Sequence, residues 1–143
     1  MKSTVSNTPI YSQLTISSDC REMEQVKAFL NDFLREHDFD EAEAEDILVA
    51  AQEGVTNAII HGNNLSVQKC VRLELYLNPS QLKIVVSDNG VGFDMESLAD
   101  PTDPENRMKS NGRGLMFIRT FMDQVMNQTN GDGHKLVMIR NRV

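Results

Sequence analysis

Cysteine is scarce in this chain: Cys20 and Cys70 stand without a CxxC pair or a nearby histidine cluster. That argues against a disulfide framework or a zinc site, and two free thiols fit a reducing compartment. Long apolar runs are missing as well. No segment approaches the roughly 20 residues that span a bilayer, and the start, Met1-Lys-Ser-Thr-Val-Ser-Asn7, has no apolar signal core. The expectation is a soluble, cytoplasmic chain with no membrane partner. Positive charge is also in deficit, 14 Lys and Arg against 21 Asp and Glu, for a net charge of −7. Affinity for a phosphate backbone comes from clustered cations, so nucleic acid is not an expected partner. Small anions stay open, because local fields and not net charge bind them. Internal repeats and low-complexity linkers are absent.

What is present reads as one domain over residues 1–143, long enough to bury roughly two thirds of its unfolded surface. Residues 10–17 alternate, with Ile10, Ser12, Leu14 and Ile16 on one side, and predict a strand. Ser18 and Asp19 are N-cap candidates for an amphipathic helix over 20–36 built on Met23, Val26, Phe29, Leu30 and Phe33. His37-Asp-Phe-Asp40 breaks the pattern before a second helix over about 41–61. Two alternating strands follow, Val71 to Leu77 and Leu82 to Val86, joined by the turn Asn78-Pro-Ser-Gln81. A polar stretch at about 94–113 has no sustained period; a segment of that length inside a domain is usually functional, often a lid. A third helix over about 113–123 and a hairpin around Asn130-Gly-Asp-Gly133 close the chain. This order predicts an α+β two-layer sandwich: a mostly antiparallel sheet covered by helices on one face. Met116, Met122 and Met126 read as adaptable core filling.

Three constellations carry chemistry. Glu53, Asn57 and His61 recur at i, i+4 and i+8 on the second helix. A carboxamide there suits Mg²⁺, which takes few protein ligands, and a carboxylate can accept a proton or hold a nucleophile in line. A polar solvent face has the same spacing, and His61 suits a structural place at the helix end. Asp88 continues the row of Leu82, Ile84 and Val86 by strand parity. A core-facing carboxylate needs donors, and an adenine amino group would supply one, although Asp-Asn-Gly is also turn chemistry. Gly90 and Gly92 permit close backbone approach to a ligand. Gly112 and Gly114 bracket Arg113 just before a helix, an arrangement that offers amides to an anion. Arg107 and Lys109 make the stretch upstream locally basic, as phosphate contacts or as a surface charge run.

With these residues in place, the chain resembles the GHKL ATPase superfamily of gyrase, heat-shock chaperone, histidine kinase and MutL, whose nucleotide-binding unit is the Bergerat fold. Glu53 and Asn57 match its N box, Asp88-x-Gly90-x-Gly92 its first glycine box, and Gly112-Arg113-Gly114-Leu115 its second. The compact length and the wording Glu53-Gly-Val-Thr-Asn-Ala-Ile-Ile-His-Gly62 are most similar to the anti-sigma-factor serine/threonine kinases of the RsbW and SpoIIAB type. The resemblance implies a histidine-kinase-like ATPase domain with its ATP lid at about 94–113, and ATP and Mg²⁺ as cofactors. It implies Asn57 on the metal, Asp88 on the adenine amino group and Glu53 as base or orienting residue for a serine hydroxyl. The glycine boxes through Leu115, with lid cations Arg107 and Lys109, would hold the nucleotide. The implied partners are a sigma factor and a small STAS-like antagonist phosphorylated on serine; many members are homodimers, so a homodimer is admitted. Other readings are a nucleotide-responsive binding module with weak or no transfer, and a stand-alone histidine-kinase catalytic domain. The chain departs from the pattern where many relatives carry Gly-Thr to assist adenine recognition; here the pair is Gly133-His134.

Overall fold

The computed structural model describes residues 9–89, 110–130 and 133–142, the side chains of 110–115 and 130 excepted. The elements, in order, are β1 (Ile10–Ser17), a 3₁₀ turn (Cys20–Glu22), α1 (Met23–Glu36), α2 (Glu41–Asn57), a π turn (Ala58–Gly62), β2 (Cys70–Leu77), β3 (Gln81–Asp88), α3 (Ser110–Phe121), β4 (Gln124–Asn130) and β5 (Gly133–Asn141). The strands form one sheet in the order β1-β2-β3-β5-β4, and every neighbouring pair is antiparallel. The architecture is the expected α+β sandwich. No helix among the described residues is long and apolar enough to cross a membrane.

Alternation sorts the sheet into two faces. Leu73, Leu75, Leu82, Ile84, Leu136 and Met138 lie under the helices and are essentially fully buried with Leu30, Leu34, Ile47, Ile59 and Ile118. Burying each such side chain contributes about 1.5–3 kcal/mol before conformational entropy is charged against it. Gly54 lets α2 approach β5: a Cβ there would meet the Met138 methyl at 3.0 Å. The other face carries a small apolar cluster of Val85, Val137 and Ile139.

Local chemistry explains most of the boundaries. Asp40 caps α2 by accepting from Glu43 N at 2.7 Å. Asn78 Oδ1 accepts from the backbone N–H groups of Ser80 and Gln81, which closes the β2–β3 turn. Arg140 Nη1 donates to Phe121 O at 2.7 Å and satisfies a carbonyl at the end of α3.

Several expectations are corrected. Asp19 does cap the 3₁₀ turn, accepting from Arg21 N, but Ser18 is fully buried and bonds elsewhere. The second helix is regular only to Asn57 and then widens into the π turn, so the i, i+4, i+8 ladder does not run unbroken to His61. The third helix starts at Ser110, before the expected 113, and takes in Gly112-Arg113-Gly114-Leu115. Those glycines sit in its first turns, not ahead of them; the cost of glycine in a helix is why the pair read as a boundary. Of the methionines, Met122 is buried, but Met116 and Met126 are exposed.

Candidate functional site

Asp88 ends β3 on the helix-facing side, 5% exposed, as strand parity required. Three elements enclose it. Cross-strand register sets His134 of β5 directly opposite, with Nδ1 3.1 Å from Asp88 Oδ2, and His134 Nε2 faces Asn127 Oδ1 on β4. The π turn places Gly62 against the carboxylate: a Cβ there would overlap Oδ2, Cγ and Oδ1, the last at 2.7 Å. A Cβ at Gly133 would overlap the Asp88 carbonyl oxygen. Two glycines thus give the residue its room, one at its side chain and one at its backbone. π turns of this kind are frequent at functional sites.

Asn63, the residue after Gly62, is fully buried and ties three chain segments together. Its Nδ2 donates to Ser18 Oγ (2.8 Å) and Cys70 O (3.0 Å), and its Oδ1 accepts from Asn89 N (2.8 Å). Ser18 Oγ in turn donates to Lys69 O at 2.7 Å. This network holds the backbone immediately after Asp88 against the ends of β1 and β2. Neither Asn63 nor Ser18 was singled out from the sequence as a site residue. The available signal was only that Asn63 follows the N-box wording directly. Asn63→Ala strips three hydrogen bonds, one buried and two part-buried, and we expect it to lower unfolding free energy by roughly 2–4 kcal/mol in urea denaturation.

Asn57 closes α2 at 2% exposure, and its Nδ2 is buried without a hydrogen-bond partner. A native interior rarely leaves such a group unsatisfied, so a polar ligand at Asn57 fits the structure. Its carboxamide can offer Oδ1 to a cation and Nδ2 to a phosphate or water oxygen. Among the described residues no group of three or more His, Cys, Asp or Glu is placed to hold a metal. A Mg²⁺ here would lean on Asn57, water and phosphate oxygens, the ligand set that ion prefers.

Glu53, one turn earlier, is half-buried, and burial pushes its carboxyl above its ordinary value. That direction suits a group that must take up a proton near neutral pH. It also has a stability consequence. A carboxyl whose folded-state value is raised binds more protons folded than unfolded, so its contribution is present at low pH and lost as pH rises through the raised value. Glu53→Gln should therefore melt at or above the wild-type temperature at pH 7–8, with the gap closing as the pH falls below that value.

Of the other expected site residues, Gly90, Gly92, Arg107 and Lys109 lie outside the described residues. Gly112, Arg113, Gly114 and Leu115 are placed only as the opening of α3, which packs against α2. His61 is half-buried in the π turn. The structure thus brings Asp88, Gly62, Gly133 and His134 together and sets Glu53 and Asn57 on the adjoining helix.

A two-layer sandwich with a buried aspartate at the end of a central strand, under the closing turn of a helix that carries Glu and Asn, is the layout of GHKL-type ATPase domains. The family model for the histidine kinase-like ATPase domain matches residues 16–140, and the chain belongs to that family. An anti-sigma F factor of Clostridium perfringens is 35% identical over 101 residues, 67% of this chain and 71% of that protein. A serine-protein kinase RsbW of Oceanobacillus iheyensis is 29% identical over 87 residues, 57% of this chain and 55% of the kinase. Among solved structures, the RsbU and RsbW domains of a Mycobacterium tuberculosis protein superpose with a TM-score of 0.66 at 18% identity. That match covers 95% of this chain and 33% of the solved one, and it speaks to the fold.

Proposed function

We propose that the chain is a cytoplasmic ATP- and Mg²⁺-dependent serine/threonine protein kinase that acts as an anti-sigma factor. It binds a sigma factor in one state and in another phosphorylates a serine on a small STAS-like antagonist. The observation that carries the nucleotide part is Asp88, a carboxylate buried at a strand end and given space by Gly62 and Gly133. Kinship with an anti-sigma F factor and with RsbW kinases supports the protein substrate class.

In this reading Asp88 accepts a hydrogen bond from the adenine amino group. Asn57 holds the metal, and the backbone at Gly90 and Gly92, the opening of α3 at Gly112–Leu115, and the side chains of Arg107, Lys109 and Arg113 hold the phosphates. Bound ATP with Mg²⁺ supplies the phosphoryl group and neutralises its charge. Glu53 receives the serine proton as the serine oxygen bonds to the γ-phosphorus and the bond to the β-phosphate oxygen breaks. A homodimer, as in many kinases of this type, is part of the proposal. Incubation with γ-labelled ATP and a STAS-like antagonist tests it: label on an antagonist serine is expected, and label on histidine or on no residue contradicts the kinase reading.

One contact bears on nucleotide affinity: His134 Nδ1 already lies 3.1 Å from Asp88 Oδ2, at a position where the family resemblance leads to the expectation of threonine.

A further inference from the structure

On the sheet face turned away from the helices, cross-strand register lines up Thr15, Arg72, Ser87 and Lys135 in one row over β1, β2, β3 and β5. Side chains directly opposite on such a row stand about 5 Å apart at Cβ, so Arg72 and Lys135 flank Ser87 from either side. A pocket of about 340 Å³ opens there, lined by this row, by Cys70, and by chain at Asp88, Asn89, Gly133 and His134. It is not the nucleotide site: the Asp88 carboxylate points through the sheet to the helix side, against Gly62.

Two features mark this pocket as a binding site. Ser87 Oγ is buried and has no hydrogen-bond partner, although it sits in the centre of the row. A hydroxyl left so costs stability unless something completes it. Register sets two cations, Arg72 and Lys135, on either side of Ser87 and in the lining of the same pocket, in a protein of net charge −7. Glu74, on the same face, offsets them only in part: its Oε2 accepts from the hydroxyls of Tyr11 (2.7 Å) and Tyr76 (3.1 Å), and Arg72 Nε pairs with Oε1 at 3.7 Å, longer than a hydrogen bond, which leaves guanidinium donors for a ligand.

We propose that this outer face binds a phosphate-type oxyanion centred on Ser87, with Arg72 and Lys135 as charge partners and Thr15 as a second hydroxyl donor. Arg and Lys supply charge-assisted hydrogen bonds to such oxygens, and the pocket has room for a group attached to the phosphate. The site is distinct from the nucleotide site and stands whether or not that reading holds.

The test is ¹H–¹⁵N NMR of the full chain titrated with inorganic phosphate in one arm and O-phosphoserine in the other, at constant ionic strength set with chloride. Saturable shifts at the Thr15, Arg72, Ser87 and Lys135 amides are expected. The Arg72→Gln/Lys135→Gln double variant should weaken them by roughly tenfold or more. Ser87→Ala, which removes an orphaned hydroxyl and so threatens folding least, should weaken them too. Saturation by either ligand supports the site: by both, a phosphate however carried; by phosphoserine alone, a monoester. The proposal is overturned by shifts that never saturate, that the variants leave unchanged, that fall only at Asn57 and Gly62, or that track protein concentration instead of phosphate. The last outcome would make this face a contact between copies of the chain.

Discussion

Glu53→Gln is expected to leave ATP affinity close to wild type while slowing phosphoryl transfer by roughly 10²–10⁴-fold, the usual span for loss of a positioned general base. Glu53 sits one turn before Asn57, half-buried, and burial raises its carboxyl above its ordinary value. A carboxylate in that state gains from accepting a proton, and glutamine keeps its size but cannot accept one. The effect should therefore fall on turnover and not on binding. Single-turnover transfer to the antagonist, with ATP affinity measured in parallel, separates the two. The wild-type rate should also rise with pH as Glu53 ionises, a limb that the glutamine variant lacks. Equal turnover in the two proteins would remove Glu53 from the chemistry.

Gly62→Ala should weaken ATP binding by roughly tenfold to a hundredfold, because the displaced group is the carboxylate proposed to read the adenine and one charged hydrogen bond is worth that much. The methyl overlaps the Asp88 carboxylate. The carboxylate has no cheap retreat, since His134 Nδ1 stands 3.1 Å from its Oδ2 and β5 backs the strand. The alternative is to shift the π turn, which Asn63 anchors to Ser18, Cys70 and Asn89. Gly54→Ala is the control on the same helix. Its new methyl meets the flexible end of Met138, at 3.0 Å, so nucleotide affinity should not change. A Gly62→Ala protein that folds and binds ATP like wild type would show that the carboxylate does not need its present place.

Much of this fold was legible in the sequence. Period-2 alternation in Leu82-x-Ile84-x-Val86-x-Asp88 sent Asp88 to the core face, and helical spacing put Glu53 and Asn57 one turn apart. Such signals are local, and they say which face a residue takes but not what lies opposite. His134 and Asp88 are 46 residues apart, and their meeting is set by the β3–β5 register. The row of Arg72, Ser87 and Lys135 depends on two registers at once. Asn63 was illegible for a related reason: a polar residue after a helix reads as loop, and its burial follows from three distant backbone and side-chain partners. The early start of α3 was hidden by Gly112 and Gly114, whose low helix propensity is overridden by packing of α3 on α2.

The proposed kinase function stands on Asp88 reading the adenine of a bound nucleotide. Calorimetric titration of ATP with Mg²⁺ into wild type and Asp88→Asn tests it most directly, with GTP as a second ligand. Wild type should bind ATP in preference to GTP, and Asp88→Asn should lose roughly tenfold to a hundredfold in ATP affinity along with that preference. Equal ATP affinity in the two proteins, or no preference for ATP in the wild type, would contradict it.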